Sequence, residues 1–107
     1  MSDAIVILST THDAETARAI AHALLEERLI ACCTIVPGGH SIYRWEGKVE
    51  EATESVMIVK TTAERYDAVA SRITALHPYG VPEIIALPIT HGSPAYLDWL
   101  RDEVRSL

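Results

Sequence analysis

The side chains able to do chemistry fall into two groups. The first holds the soft and borderline metal donors. Cys32 and Cys33 stand side by side, and His12, His22, His40, His77 and His91 are spread along the chain. A metal centre needs thiolates, imidazoles or carboxylates converging from suitable spacings. No two histidines are four residues apart and no Cys-x-x-Cys occurs, so spacing alone builds no centre. Each cysteine reads first as a small core residue, although a reachable thiol would suit Cu(I). The second group is polar and aromatic: Tyr43, Trp45, Lys60, His77, Tyr79, Glu83, Tyr96 and Trp99. These residues suit packing at an oligomer interface and at helix ends, with Lys60 and Glu83 forming a pair. They equally suit a small-ligand cleft between subunits, with apolar walls and a few convergent polar groups. Nucleophilic catalysis has no local support, because GxSxG, Walker and GxGxxG patterns are all absent. The chain is expected not to be an enzyme.

Composition narrows the classes further. At 107 residues the chain is expected to form a single domain, residues 1–107. A hydrophobic share of 49% argues against disorder. The 15 acidic residues outnumber the 9 basic ones for a net charge of −6, which argues against binding nucleic acid or an anionic membrane surface. The opening Met-Ser-Asp-Ala-Ile lacks the basic n-region and apolar run of a signal peptide. No apolar stretch reaches the roughly 20 residues of a membrane span. Neighbouring residues on a strand point to opposite faces, so Cys32 and Cys33 could pair only under strain. With no other cysteine, a reduced, cytoplasmic protein is expected.

The elements that must position these residues follow from periodicity. Residues 4–8 form a continuous apolar run, as in a strand covered on both faces. Thr10, Thr11 and Asp13 are candidate caps for a helix whose apolar stripe is Ala17, Ile20, Ala21, Leu24 and Leu25. A second strand is expected over 29–36, interrupted by Pro37-Gly38-Gly39 and resuming over 41–45. Glu46-Gly47 supplies a hairpin turn in which Gly47 takes positive φ. The return strand is expected over 49–61, with Glu50, Glu51 and Glu54 as solvated charges near its start. Thr61 and Glu64 have capping-box spacing before a helix carrying Tyr66, Val69, Ala70, Ile73 and Leu76. His77-Pro78 ends that helix. A fourth strand over 83–89 contains Pro88, which marks a sheet edge. Ser93 and Pro94 then start a last helix over about 95–104.

The order β-α-β-β-α-β plus a C-terminal helix predicts an α+β, ferredoxin-like sandwich with a long extended β-hairpin. Two helices can cover one face of its sheet. Residues 4–8 have no polar side, so the other face must also be hidden. The short last helix is too small for that, and burial between subunits predicts a homo-oligomer.

Several segments resemble one family: Ala31-Cys32, Ile35-Val36-Pro37-Gly38, the run from Ser41 to Glu50 that carries Tyr43-Arg44-Trp45-Glu46-Gly47, Lys60-Thr61, His77-Pro78-Tyr79, Val81-Pro82-Glu83-Ile84, Leu87-Pro88 and Tyr96-Leu97 with Trp99-Leu100. Across essentially its whole length the chain resembles the CutA divalent-cation-tolerance family. The resemblance implies a ferredoxin-like homotrimer in which the hairpin pairs with a neighbouring subunit, similar in shape to PII-type signalling proteins. It also implies a role in the response to metal ions, copper among them. Family copper ligands are placed at the end of the first strand and at a His pair before Pro-Tyr. Here those positions hold Ser9 and Leu76-His77. His77 is thus the donor retained, and Cys32 matches the family cysteine after the first helix. His77 and Cys32 are therefore the candidate metal residues, for weakly bound Cu2+ or another divalent cation; no organic cofactor is implied. Gly80 stands where an acidic or polar residue is common in the family. Two functions from different classes follow. One is a homotrimeric divalent-cation-tolerance protein with copper binding. The other is a PII-like signalling or small-metabolite-binding trimer with its ligand in an intersubunit cleft formed by Tyr43, Trp45, Lys60, His77, Glu83, Tyr96 and Trp99. A purely structural trimeric scaffold is the third reading.

Overall fold

In a computed structural model, which describes residues 3–105, the chain builds β1 (Ala4–Thr11), α1 (Ala14–Glu26), β2 (Cys32–Trp45), β3 (Lys48–Thr62), α2 (Tyr66–Leu76), β4 (Ile85–Pro88) and α3 (Pro94–Glu103). The sheet runs β2-β3-β1-β4 with every neighbouring pair antiparallel. Ile5 and Ile7 of β1 and Met57 and Val59 of β3 face Ile20 and Leu24 of α1 and Val69 and Ile73 of α2 in one apolar core. The result is the ferredoxin-like α+β sandwich expected from the element order.

The caps differ from the expected ones in two places. Thr10 and Thr11 do not cap α1; both belong to β1, which runs three residues past the apolar stretch because Ser9–Thr11 pair with Ser55–Met57. Asp13 does the capping, its Oδ1 accepting from the Thr16 amide at 2.7 Å. The Thr61–Glu64 capping box does not form. Thr61 is still a strand residue opposite Ile5, and its buried hydroxyl donates to the Leu29 carbonyl at 2.7 Å. A short 3-10 turn, Ala63–Arg65, leads into α2 instead. At the far end of α2, His77 has extended backbone (φ −80, ψ 135), as a residue before proline prefers. Ser93 caps α3 by accepting from the Tyr96 amide at 3.3 Å, with Pro94 in the first turn.

The hairpin is more continuous than its sequence suggests. Residues 29–31 precede β2 rather than belonging to it, and the strand passes through Pro37-Gly38-Gly39 without ending. Val36 pairs with Val56, and Gly39 pairs with Glu54, so β2 carries one residue more than β3 across that interval. This is a β-bulge, with Gly38 at φ +80. One extra residue reverses the alternation beyond it. Cys32, Thr34 and Val36 therefore share a face with the odd-numbered Ser41, Tyr43 and Trp45. At the tip Trp45 pairs with Lys48, and both turn residues have positive φ, 49° at Glu46 and 80° at Gly47. That pattern matches the type I′ turn, whose twist suits a two-residue hairpin. Gly47→Val should therefore lower the unfolding free energy by about 1 kcal/mol or more. Differential scanning calorimetry would check it, and an unchanged midpoint would contradict the left-handed turn.

The face of the sheet away from α1 and α2 is only partly covered. Ala4 and Ala31 pack under Leu97, Leu100 and Val104 at the α3 end. Beyond that, register places Val6, Leu8, Val56, Ile58, Val36, Ile85 and Leu87 on one shared face. Val36, Ile85 and Leu87 are 45%, 49% and 50% exposed. β4 is shorter than the expected 83–89 and holds the sheet edge that Pro88 marks, while Ile84 packs into the helix-side core. The two cysteines separate as strand alternation requires. Cys33 packs against the core, and burial pushes its thiol up from 9.0 to about 11. Cys32 faces the other way.

Candidate functional site: a groove at the root of the hairpin

A groove of about 610 Å³ opens where the hairpin leaves the body of the sheet. Tyr43 and Trp45 contribute aromatic wall from β2, Thr10 comes from the end of β1, and Tyr79, Gly80, Val81 and Glu83 come from the loop after α2. Glu54 of β3 lies at its base, only 8% exposed, with one carboxylate oxygen accepting from the Tyr79 hydroxyl at 2.8 Å. Glu54 is thus a buried site residue, not the solvated charge its Glu-rich neighbourhood suggests. Burial, helped by the adjacent Glu54 carboxylate, pushes the Tyr79 phenol from 10.0 to about 12.

His77 does not line the groove but holds its loop in place. It is buried at 7% exposure. Its Nε2 donates to the Thr10 carbonyl at 2.7 Å, while its Nδ1 accepts from the Tyr79 amide at 3.1 Å. That pairing defines a neutral ring protonated on Nε2, with both nitrogens committed. The Tyr79 ring lies 4.6 Å from it, centroid to centroid.

The alkaline limb of stability should report this arrangement. Tyr79 binds its proton more tightly folded than unfolded, so its contribution is complete below pH 10 and falls away between 10 and about 12. Cys33 acts with the same sign between 9 and about 11. Tyr79→Phe should flatten the upper part of that fall in urea unfolding midpoints, leaving the Cys33 part intact.

The remaining expected site residues sit elsewhere on the chain. Lys60 pairs with Cys32 across β2 and β3, with Lys60 Nζ donating to Cys32 Sγ at 3.9 Å. The Tyr96 hydroxyl lies 3.6 Å from the same sulfur, and its ring stacks obliquely on Trp99 at 5.4 Å. The hydrogen bond to Cys32, reinforced by burial, raises the Tyr96 phenol. Lys60 and Val56, which pairs with Thr10 beside the groove, are four residues apart on β3, about 13 Å along a strand. Within one chain, then, Tyr43, Trp45 and Glu83 gather at the groove, His77 stands behind it, and Lys60, Tyr96, Trp99 and Cys32 form a separate cluster under α3. Sequence reasoning missed Glu54 and Thr10 as groove residues. The parity of Glu54 with Val56 and Ile58 was the available signal for the first.

Within one chain these two donors do not converge. His77 has no free nitrogen and lies strands away from Cys32. Among the described residues no group of three or more His, Cys, Asp or Glu side chains could hold a metal ion.

The sequence pattern described as CutA1 divalent ion tolerance protein matches residues 5–103. This chain belongs to the CutA1 family. Its relatives include the divalent-cation tolerance protein CutA of Thermus thermophilus, 56% identical over 97 residues that span 91% of this chain and 94% of that protein. Among solved CutA structures, the one from Xylella fastidiosa superposes with a TM-score of 0.95 at 43% identity, covering 97% of this chain and 100% of that one. A CutA from Archaeoglobus fulgidus, described as a periplasmic divalent cation tolerance protein, superposes at 0.93 with 42% identity over 95% of this chain and 99% of its own. The CutA fold thus accounts for the whole body and hairpin of this chain.

Proposed function

We propose that this CutA chain acts as a non-catalytic homotrimer in the response to divalent cations. The open apolar sheet face carries the reading. Val36, Ile85 and Leu87 lie exposed beside Val6, Leu8, Val56 and Ile58, while the hairpin extends a molecule 44 Å in its longest dimension and bares Ile42, Tyr43, Trp45 and Val49. A monomer rarely leaves so much contiguous apolar surface wet. Closed rotational symmetry lets identical subunits cover it. Native mass spectrometry at micromolar protein should give the mass of three chains; a stable monomer would overturn the assembly.

Copper contact in this reading is weak and falls to Cys32, whose sulfur is flanked by Lys60 and Tyr96, and not to His77. The same spectra under copper titration should show sub-stoichiometric uptake that Cys32→Ser removes. Tight uptake of one ion per subunit would overturn it. The free thiols of Cys32 and Cys33 fit a reducing compartment, and cell fractionation would separate the cytoplasm from the periplasm ascribed to the Archaeoglobus relative. Among the described residues no helix is long and apolar enough to cross a membrane.

The groove supports a second reading, a PII-like module that binds a small metabolite. It has the volume of an ordinary ligand site, aromatic walls and a few polar groups. A thermal-shift screen of common metabolites should find a saturable stabiliser. Hits unchanged by Trp45→Ala and Glu83→Ala would place the ligand elsewhere.

A further inference from the structure

The groove carries two carboxylates, Glu54 and Glu83, and no lysine or arginine lines it among the described residues. Glu54 is more than nine-tenths buried, and among the described residues its hydrogen-bond donor is the neutral Tyr79 hydroxyl. Among the described residues neither carboxylate takes part in an ion pair. A carboxylate withdrawn from water without a counter-charge is costly, and proteins ordinarily pair it with a cation. The walls point the same way. Tyr43 and Trp45 are 44% and 53% exposed, and ring faces carry the negative part of the aromatic quadrupole. Size then separates the kinds of cation. A volume of about 610 Å³ dwarfs a hydrated-ion site, since one water takes about 30 Å³, and no metal-holding cluster exists among the described residues.

We propose that the groove binds an organic cation, its ammonium or guanidinium head on Glu54 and Glu83 and its carbon skeleton against Tyr43 and Trp45. This rests on the reading of the groove as a ligand site. The bulge makes the chemistry possible: without the extra residue in β2, Tyr43 and Trp45 would face away from Glu54. Recognition combines a desolvated charge with a stacked or edge-on skeleton, so affinity should fall as salt rises, though less steeply than for a surface pair.

The test is isothermal titration calorimetry on the full chain, using choline, putrescine and arginine as cationic probes. AMP and glutamate serve as anionic probes, and magnesium and copper chlorides as bare ions. At least one organic cation should bind saturably. Glu54→Gln should weaken it by about tenfold or more, and Trp45→Leu should weaken it as well. Because Glu54→Gln also alters the partner of Tyr79, Glu83→Gln provides an independent check in the same direction. Cation binding unaffected by Glu54→Gln and Glu83→Gln overturns the assignment. Binding of only the anionic probes overturns the cation chemistry while leaving the groove a ligand site. Binding of a metal ion with the same Glu54 dependence reassigns the groove to metal. If no probe binds and Glu54→Gln instead weakens subunit assembly, the counter-charge is a basic side chain of a neighbouring subunit. If no probe binds and assembly is untouched, the ligand-site reading falls with the proposal.

Discussion

Ile58→Glu should convert the proposed homotrimer into folded monomers. Ile58 sits mid-sheet, opposite Leu8 on one side and Thr34 on the other, and points to the face that α1 and α2 leave open. In a single chain it is only partly buried, so a carboxylate there keeps contact with water and the core of Ile7, Met57 and Val59 is untouched. In an assembly that hides this face the same carboxylate must be desolvated with no cation beside it. That costs several kcal/mol, once per subunit. Sedimentation velocity at micromolar concentration should show a single-chain species, and circular dichroism should show an unchanged helix and sheet content. Thermal stability should fall as well, because assembly stabilises the native state by mass action. Ile58→Val, which keeps the face apolar, should leave the proposed trimer intact. A trimeric Ile58→Glu protein would move the interface off the sheet and on to the hairpin alone.

This experiment separates what could be read from the chain from what could not. The uncovered apolar face was legible, because Ala4 to Leu8 offers no polar side and the chain supplies too little helix to cover both faces. The hairpin and its turn were legible for the same kind of reason: Gly47 is the residue that takes positive φ most cheaply. Glu46 was not, because nothing local marks a glutamate for φ 49; the closing Trp45–Lys48 pair imposes it. Glu54 was misplaced for a related reason. Glu50, Glu51 and Glu54 look alike as letters, yet only Glu54 lies at the root of the hairpin, where the loop carrying Tyr79 folds over it. That contact spans 25 residues and leaves no periodic trace. Thr61 failed as a cap because its strand runs longer than its apolar centre, a tertiary decision made by pairing with Ile5. The candidate site was legible as a list of residue types and not as a place. Strand register decides that Lys60 stands opposite Cys32 and that Tyr43 shares a face with Glu54.

Gly39→Val should produce the other large effect, because it attacks that register directly. A Cβ added at Gly39 would lie 2.9 Å from the Glu54 carbonyl oxygen and 3.3 Å from a Val56 methyl. The first neighbour is backbone, and it cannot swing aside without breaking the pairing of Gly39 with Glu54. Overpacking of this kind costs about 1–3 kcal/mol, and the lost ladder contact adds to it. The clash could be relieved by expelling the bulge. That would restore uninterrupted alternation, send Tyr43 and Trp45 to the opposite face and empty the aromatic wall of the groove. Gly39→Val should therefore lower the unfolding free energy by roughly 2 kcal/mol or more, shift Trp45 fluorescence and abolish binding of organic cations. Gly38→Asn is the control. Gly38 has φ +80, which asparagine tolerates better than most residues, and a Cβ there meets nothing within 4 Å. It should cost only a fraction as much and keep the groove. If Gly39→Val unfolds like the parent protein and still binds, the close approach of β2 to Glu54 is not what sets the phase of the hairpin, and the facing of Tyr43 and Trp45 must be imposed from the tip.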